Sequence, residues 1–146
     1  MAASRSPKPR LTVVACMDFR LDPLAVLGLD DGEAYVIRNA GGVLTDDVRR
    51  SLAITQHALG VEEIALVHHT DCGMEGLTDQ DFADRLAQRT GIRPTWRPGG
   101  FRSAEADLRE MMAALASDPH VPAEGRRCGR QDSAPAASST TSPRAP

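Results

Sequence analysis

Ile64-Ala65-Leu66-Val67-His68-His69-Thr70-Asp71-Cys72-Gly73 passes within ten residues from an unbroken aliphatic run to a cluster of metal-ligating side chains. The aliphatic part, residues 64–67, predicts a buried strand. His69 and Cys72 then fall where that strand ends and a loop begins. Three positions apart on such a loop, their side chains can turn toward one point. Imidazole nitrogen and thiolate sulfur are a ligand pair that zinc favours. A second strand-like run, residues 11–15 (Leu-Thr-Val-Val-Ala), ends on Cys16. Neighbouring strands of a parallel sheet end on one edge, so Cys16, His69 and Cys72 can share one metal ion there with a fourth position open.

Working outward, strands alternate with helices. A strand over residues 34–37 ends in Arg38-Asn39-Ala40-Gly41-Gly42, whose paired glycines permit unusual backbone dihedrals and close approach. Asp22 before Pro23 predicts the start of a short helix. A long helix is expected from the N-cap Thr45, with Asp46 and Asp47 at its positive end and Val48, Leu52, Thr55 and Leu59 on one face, stopping at Gly60. A second runs over residues 79–90 behind Thr78, with an apolar face of Phe82, Ala83, Leu86 and Ala87, and stops at Gly91. Residues 92–101, with two prolines and two glycines, read as a loop. Ser103 caps a third helix carrying Leu108, Met111, Met112 and Leu115, ended by Asp118-Pro119. The alternation predicts an α/β fold with a parallel sheet, whose ligands bind at the carboxyl ends of the strands.

The chain has 146 residues, a length suited to one domain, and 41% hydrophobic but only 3% aromatic residues, so the core must be aliphatic. No apolar stretch is long enough to span a membrane. Residues 1–10 are basic with no apolar signal segment, and are expected to be flexible. Three cysteines without such a signal fit a reducing compartment, so a cytoplasmic location is expected. Residues 11–120 carry 10 basic and 18 acidic side chains, an acidic body that argues against a nucleic-acid partner. Residues 121–146 are rich in Pro, Ala, Ser and Arg without periodicity, and are expected to be a disordered tail that follows a catalytic unit over residues 11–120.

Taken together, Cys16-Met17-Asp18-Phe19-Arg20, Arg38-Asn39-Ala40-Gly41-Gly42 and His69-Thr70-Asp71-Cys72-Gly73 resemble the β-class carbonic anhydrases, over residues 11–119. The resemblance implies a three-layer α/β fold with a central, mostly parallel β-sheet flanked by helices. It implies Cys16, His69 and Cys72 as ligands of one Zn2+ per chain, and Asp18 and Arg20 as a catalytic dyad. Asn39, Gly41, Gly42 and Gly73 are the expected substrate contacts. The implied reaction is reversible hydration of carbon dioxide to bicarbonate and a proton by zinc-bound hydroxide, in a homodimer or a larger assembly of dimers. The family's usual final strand has no counterpart in residues 121–146.

Several alternatives stay open. Two thiolates cancel the charge of the dication, so water on it should be less acidic than on a tris-histidine zinc, where its pKa is about 7. Activity should therefore rise above neutral pH. Asp18 can accept the hydrogen of the nucleophile, or it can bind zinc itself as a fourth ligand in competition with Arg20. Gly41 and Gly42 also suit a plain turn, and Asp71 a loop cap. His68 should point away from His69 and be structural, while His57 and His120 read as solvated. The same site would serve a hydrolase of carbon disulfide or carbonyl sulfide. A zinc-binding protein made inactive by its altered C-terminus is a third reading.

Overall fold

The computed structural model describes residues 8–121. Three strands, β1 (Leu11–Cys16), β2 (Ala34–Asn39) and β3 (Glu63–Val67), form a parallel sheet in the order β2-β1-β3. The central place of β1 matches its composition, since a strand covered on both faces must be apolar at consecutive positions. Val13, Val14 and Ala15 have no exposed surface.

The register fixes what meets at the carboxyl edge. Cys16 lies beside Asn39, and Ala15 lies beside Val67. The β1–β2 ladder runs one bond further, with Met17 N–H donating to the Asn39 carbonyl at 2.8 Å. Cys16 therefore ends next to the loop that leaves β3, and His69 follows Val67 by two residues.

The pleat divides the core into two clusters. Val13, Ala15, Ala65 and Val67 face one way and pack with Leu21, Val43, Cys72 and Phe101, flanked by Val26 of α1 (Pro23–Val26). Val14, Ile64 and Leu66 face the other way. There they meet Val48 and Leu52 of α2 (Asp46–Ala58), and Met111 and Leu115 of α4 (Ala104–Ala116). Helices on both faces make the three layers. α3 (Asp79–Thr90) buries only Ala83 of its apolar face.

The caps follow the sequence closely. Thr45, Thr78 and Ser103 each accept a hydrogen bond from the backbone N–H three residues on, and Asp22 caps α1 through Leu24 and Ala25. Gly91 closes α3 in the left-handed conformation. Val121 departs from its assignment to the tail. Its side chain is 1% exposed and belongs to the α2/α4 cluster. All but Val121 of the tail expected over residues 121–146, the first seven residues of the flexible N-terminus expected over residues 1–10, and the question of a final strand lie outside the described residues.

Candidate metal centre

Two segments that carry metal-ligating side chains converge at the carboxyl edge of the sheet. Cys16 arrives on β1, and His69 and Cys72 arrive on the loop after β3. Their ligand atoms all lie within 4.8 Å of one another, and all three residues are buried. The two sulfurs are 3.9 Å apart. Thiolates bound at 2.3 Å to a tetrahedral zinc stand about 3.8 Å apart, so the spacing suits that ion.

The histidine is already oriented. His69 Nδ1 donates to the Thr70 carbonyl at 2.8 Å, which fixes the tautomer and leaves Nε2 as the ligand atom. Nε2 is buried and has no hydrogen-bond partner among the described residues. A buried polar atom without a partner is costly, and a cation at this point would satisfy it. Burial pushes the Cys72 thiol up, the backbone N–H groups of Met74 and Glu75 partly offset this, and Cys16 adds to the rise. A bound dication reverses that preference and holds both sulfurs as thiolates. Gly41 N–H donates to Cys16 Sγ at 3.3 Å. The set of two sulfurs and one nitrogen can hold a metal and leaves one tetrahedral position for a small ligand.

Asp18 and Arg20 stand at the mouth of this cluster. Arg20 grips the carboxylate with Nε on Oδ1 at 3.0 Å, Nη2 on Oδ2 at 2.8 Å, and its backbone N–H on Oδ1 at 2.8 Å. The Arg20 side chain, then its backbone N–H, holds Asp18 well below the usual carboxylate range. Arg20 also donates to the Asp71 carbonyl at 2.9 Å, tying the Asp18 loop to the Cys72 loop. Asp71 takes a left-handed conformation there (φ 56°).

The residues expected to touch substrate have other engagements. The Asn39 amide donates to the Val43 carbonyl and accepts from Val43 N–H, closing the 3-10 turn Ala40–Gly42. Gly41 N–H is on Cys16. Gly42, at φ 63°, lies against β1, where a Cβ would stand 2.8 Å from Ala15 C and Cys16 N. These three shape the surroundings of Cys16; beside Gly73, no atom of the described residues lies within 4 Å of where a Cβ would stand. His68 points away from His69, as alternation requires, and its Nε2 meets Asp107 Oδ2 of α4 at 2.6 Å.

Two residues carry more than the sequence disclosed. Arg38 donates to the carbonyls of Cys16, Asp18 and Leu21, each at 2.9 Å, and so clamps the turn that holds Asp18. Its position directly before Asn39, on a strand end, is a signal that was available. Phe101, from the expected loop, packs into the core beneath the cluster.

The chain matches the family model described as "Carbonic anhydrase" over residues 11–115. It is 52% identical over 115 residues to "Beta-carbonic anhydrase 1" of Mycobacterium tuberculosis, covering 79% of this chain and 71% of that protein. It is 43% identical over 86 residues to "Carbon disulfide hydrolase" of Acidianus sp., covering 59% of this chain and 42% of that protein. The solved carbonic anhydrase of Streptococcus mutans superposes with a TM-score of 0.75 at 40% identity, over 81% of this chain and 72% of that one.

Proposed function

The chain belongs to the β-carbonic anhydrase family and is a carbonate dehydratase, and we propose that its reaction runs at one zinc ion held by Cys16, His69 and Cys72. The observation that carries this reading is the convergence of three buried ligand atoms within 4.8 Å, with the Asp18 carboxylate beside them. Zinc bound by these residues would supply a Lewis acid able to make water a nucleophile toward carbon dioxide.

The chain's own residues do the rest. Asp18 accepts a hydrogen bond from the attacking water and turns its lone pair toward the carbon. Arg20 keeps Asp18 ionised and, by occupying both carboxylate oxygens, opposes its use as a fourth ligand. Arg38 holds the turn on which Asp18 sits. Gly41 N–H hydrogen-bonds the Cys16 sulfur and moderates its charge. Gly73 offers the open side from which a small substrate and bicarbonate can pass.

The catalytic unit is proposed to run from residue 11 through Val121. We read the working form as a homodimer or an assembly of dimers. Met17 and Phe19, 64% and 94% exposed on either side of Asp18, support this, since apolar surface of that size beside a site suits a protein contact. A cytoplasmic location is supported by a ligand set that needs reduced thiols. Among the described residues, no helix is long and apolar enough to cross a membrane.

A second reading places carbon disulfide at the same site, favoured by the likeness to a protein named as its hydrolase. One experiment separates the two. Zinc content, oligomeric mass and turnover of carbon dioxide and of carbon disulfide are measured on one preparation. One zinc per chain with hydration of carbon dioxide supports the first reading, and turnover of carbon disulfide alone selects the second. Metal without either activity would sink both.

A further inference from the structure

Phe101 touches the segment that bears His69 and Cys72, and it packs against Gly41, whose N–H donates to Cys16 Sγ. Its backbone is stitched to the Cys72 loop: Phe101 N–H donates to the Met74 carbonyl at 3.1 Å, and Gly76 N–H donates to the Phe101 carbonyl at 2.8 Å. This forms an isolated parallel bridge with Glu75. Its ring stacks on the imidazole of His68, with centroids 5.0 Å apart and planes 15° from parallel. His68 immediately precedes His69. The ring also closes the space beside Gly41, where a Cβ would stand 3.3 Å from Phe101 Cε1 and 3.0 Å from Met74 Cγ.

The approach of Phe101 is fixed from behind. Gly100 has no room for a side chain, since a Cβ would fall 1.9 Å from the Leu77 carbonyl oxygen. Asp79 Oδ1 accepts the N–H groups of Gly99 and Gly100, each at 2.9 Å. The loop that delivers Phe101 is thus held at the start of α3.

We propose that Phe101 is a positioning residue of the metal centre, whose ring holds Gly41 N–H on Cys16 Sγ and holds the His68-His69 strand end. The inference rests on reading Cys16, His69 and Cys72 as the metal ligands. Gly41 has φ 87° and no side chain of its own to anchor it. Its N–H keeps its aim only while Met74 and Phe101 pack against it. A void in place of the ring removes contacts from Gly41 and His68 together, because a close-packed interior relaxes only partly. Groups that orient metal ligands from behind typically change metal affinity about 10- to 100-fold when they are lost.

The test uses the whole chain, stripped of metal and titrated with Zn2+ against a chromophoric chelator. The absorption spectrum of the Co2+-loaded protein reports the thiolate environment. Phe101→Ala is expected to bind Zn2+ about 10- to 100-fold more weakly and to shift the cobalt–thiolate band. Phe101→Leu, which keeps bulk but not the flat face, is expected to show a smaller loss. Leu115→Ala, on the opposite face of the sheet, lowers stability and is expected to leave Zn2+ affinity and the cobalt spectrum unchanged. Wild-type affinity in Phe101→Ala, or an equal loss in Leu115→Ala, would overturn the proposal. Should Phe101→Ala fail to fold, Phe101→Leu decides: a weaker affinity with a shifted band supports it, and wild-type values overturn it. A wild-type chain that binds no Zn2+ would remove the metal reading itself, an outcome visible before any variant is compared.

Discussion

Asp18 Oδ2 stands 3.9 Å from His69 Nε2, while Arg20 donates to both oxygens of the same carboxylate. The carboxylate therefore lies beside the Cys16, His69 and Cys72 cluster while both its oxygens are engaged by Arg20. Asp18→Asn keeps the shape but gives up the ionised acceptor. It is expected to retain a full complement of zinc and to lose about 10²- to 10⁴-fold in turnover. Stopped-flow hydration together with metal analysis checks both parts, and near-normal rates would remove Asp18 from the reaction.

Cys72 shares its burial with Cys16 and His69, and one ligand fewer leaves too few donors for a stable site. Cys72→Ala is expected to purify without zinc and without activity. Elemental analysis decides this, and one zinc per chain would show that Cys72 is no ligand.

The Asp18–Arg20 pair has a pH signature. Asp18 ionises more readily in the folded chain than in the unfolded one, so the pair stabilises the fold fully above the ordinary carboxylate pKa of about 3.9. That contribution declines as pH falls below this value and is lost only below the folded-state pKa. Urea denaturation of metal-free wild type and Arg20→Ala should show a stability gap at pH 7 that narrows below about pH 4. A constant gap across this range would mean that the ion pair is not its source.

Gly42 is held where no other residue fits, at φ 63° with β1 pressed against it. Gly42→Ala adds left-handed strain to a steric clash and is expected to destabilise the chain by about 2 to 5 kcal/mol. It should also weaken zinc binding, since the clash falls on the Cys16 backbone. A thermal melt and a zinc titration read the two effects, and a wild-type melting temperature would contradict the packing.

His68 is buried and hydrogen-bonds Asp107 through Nε2, while its Nδ1 has no hydrogen-bond partner among the described residues. Asp107→Ala leaves the ring without either bond and is expected to cost about 1 to 3 kcal/mol of stability. Chemical denaturation measures this, and Asp107→Asn should restore much of the loss.

The strands, the helix caps and the three side chains that cluster at the sheet edge, Cys16, His69 and Cys72, were legible in the chain because each depends on local chemistry. An aliphatic run such as residues 64–67 must be buried. Thr45, Thr78 and Ser103 satisfy the helix N–H groups that follow them, and Cys and His at strand ends suit zinc. The hydrogen bonds of Asn39 and Gly41 and the close packing of Gly42 were not legible in this way. Spacing alone cannot show that Asn39 bonds the Val43 backbone, that Gly41 N–H meets Cys16 Sγ, or that Gly42 lies against β1. The threefold grip of Arg38, the burial of Val121 and the place of Phe101 depend on packing between segments far apart in sequence. Phe101 lies 60 residues from Gly41 and 33 from His68, and no local pattern encodes a contact that exists only when the sheet brings those segments together. The sequence by itself determined which residues have the chemistry of a zinc site. The tertiary structure alone decided which side chains orient them, because orientation is a property of close packing and not of residue type.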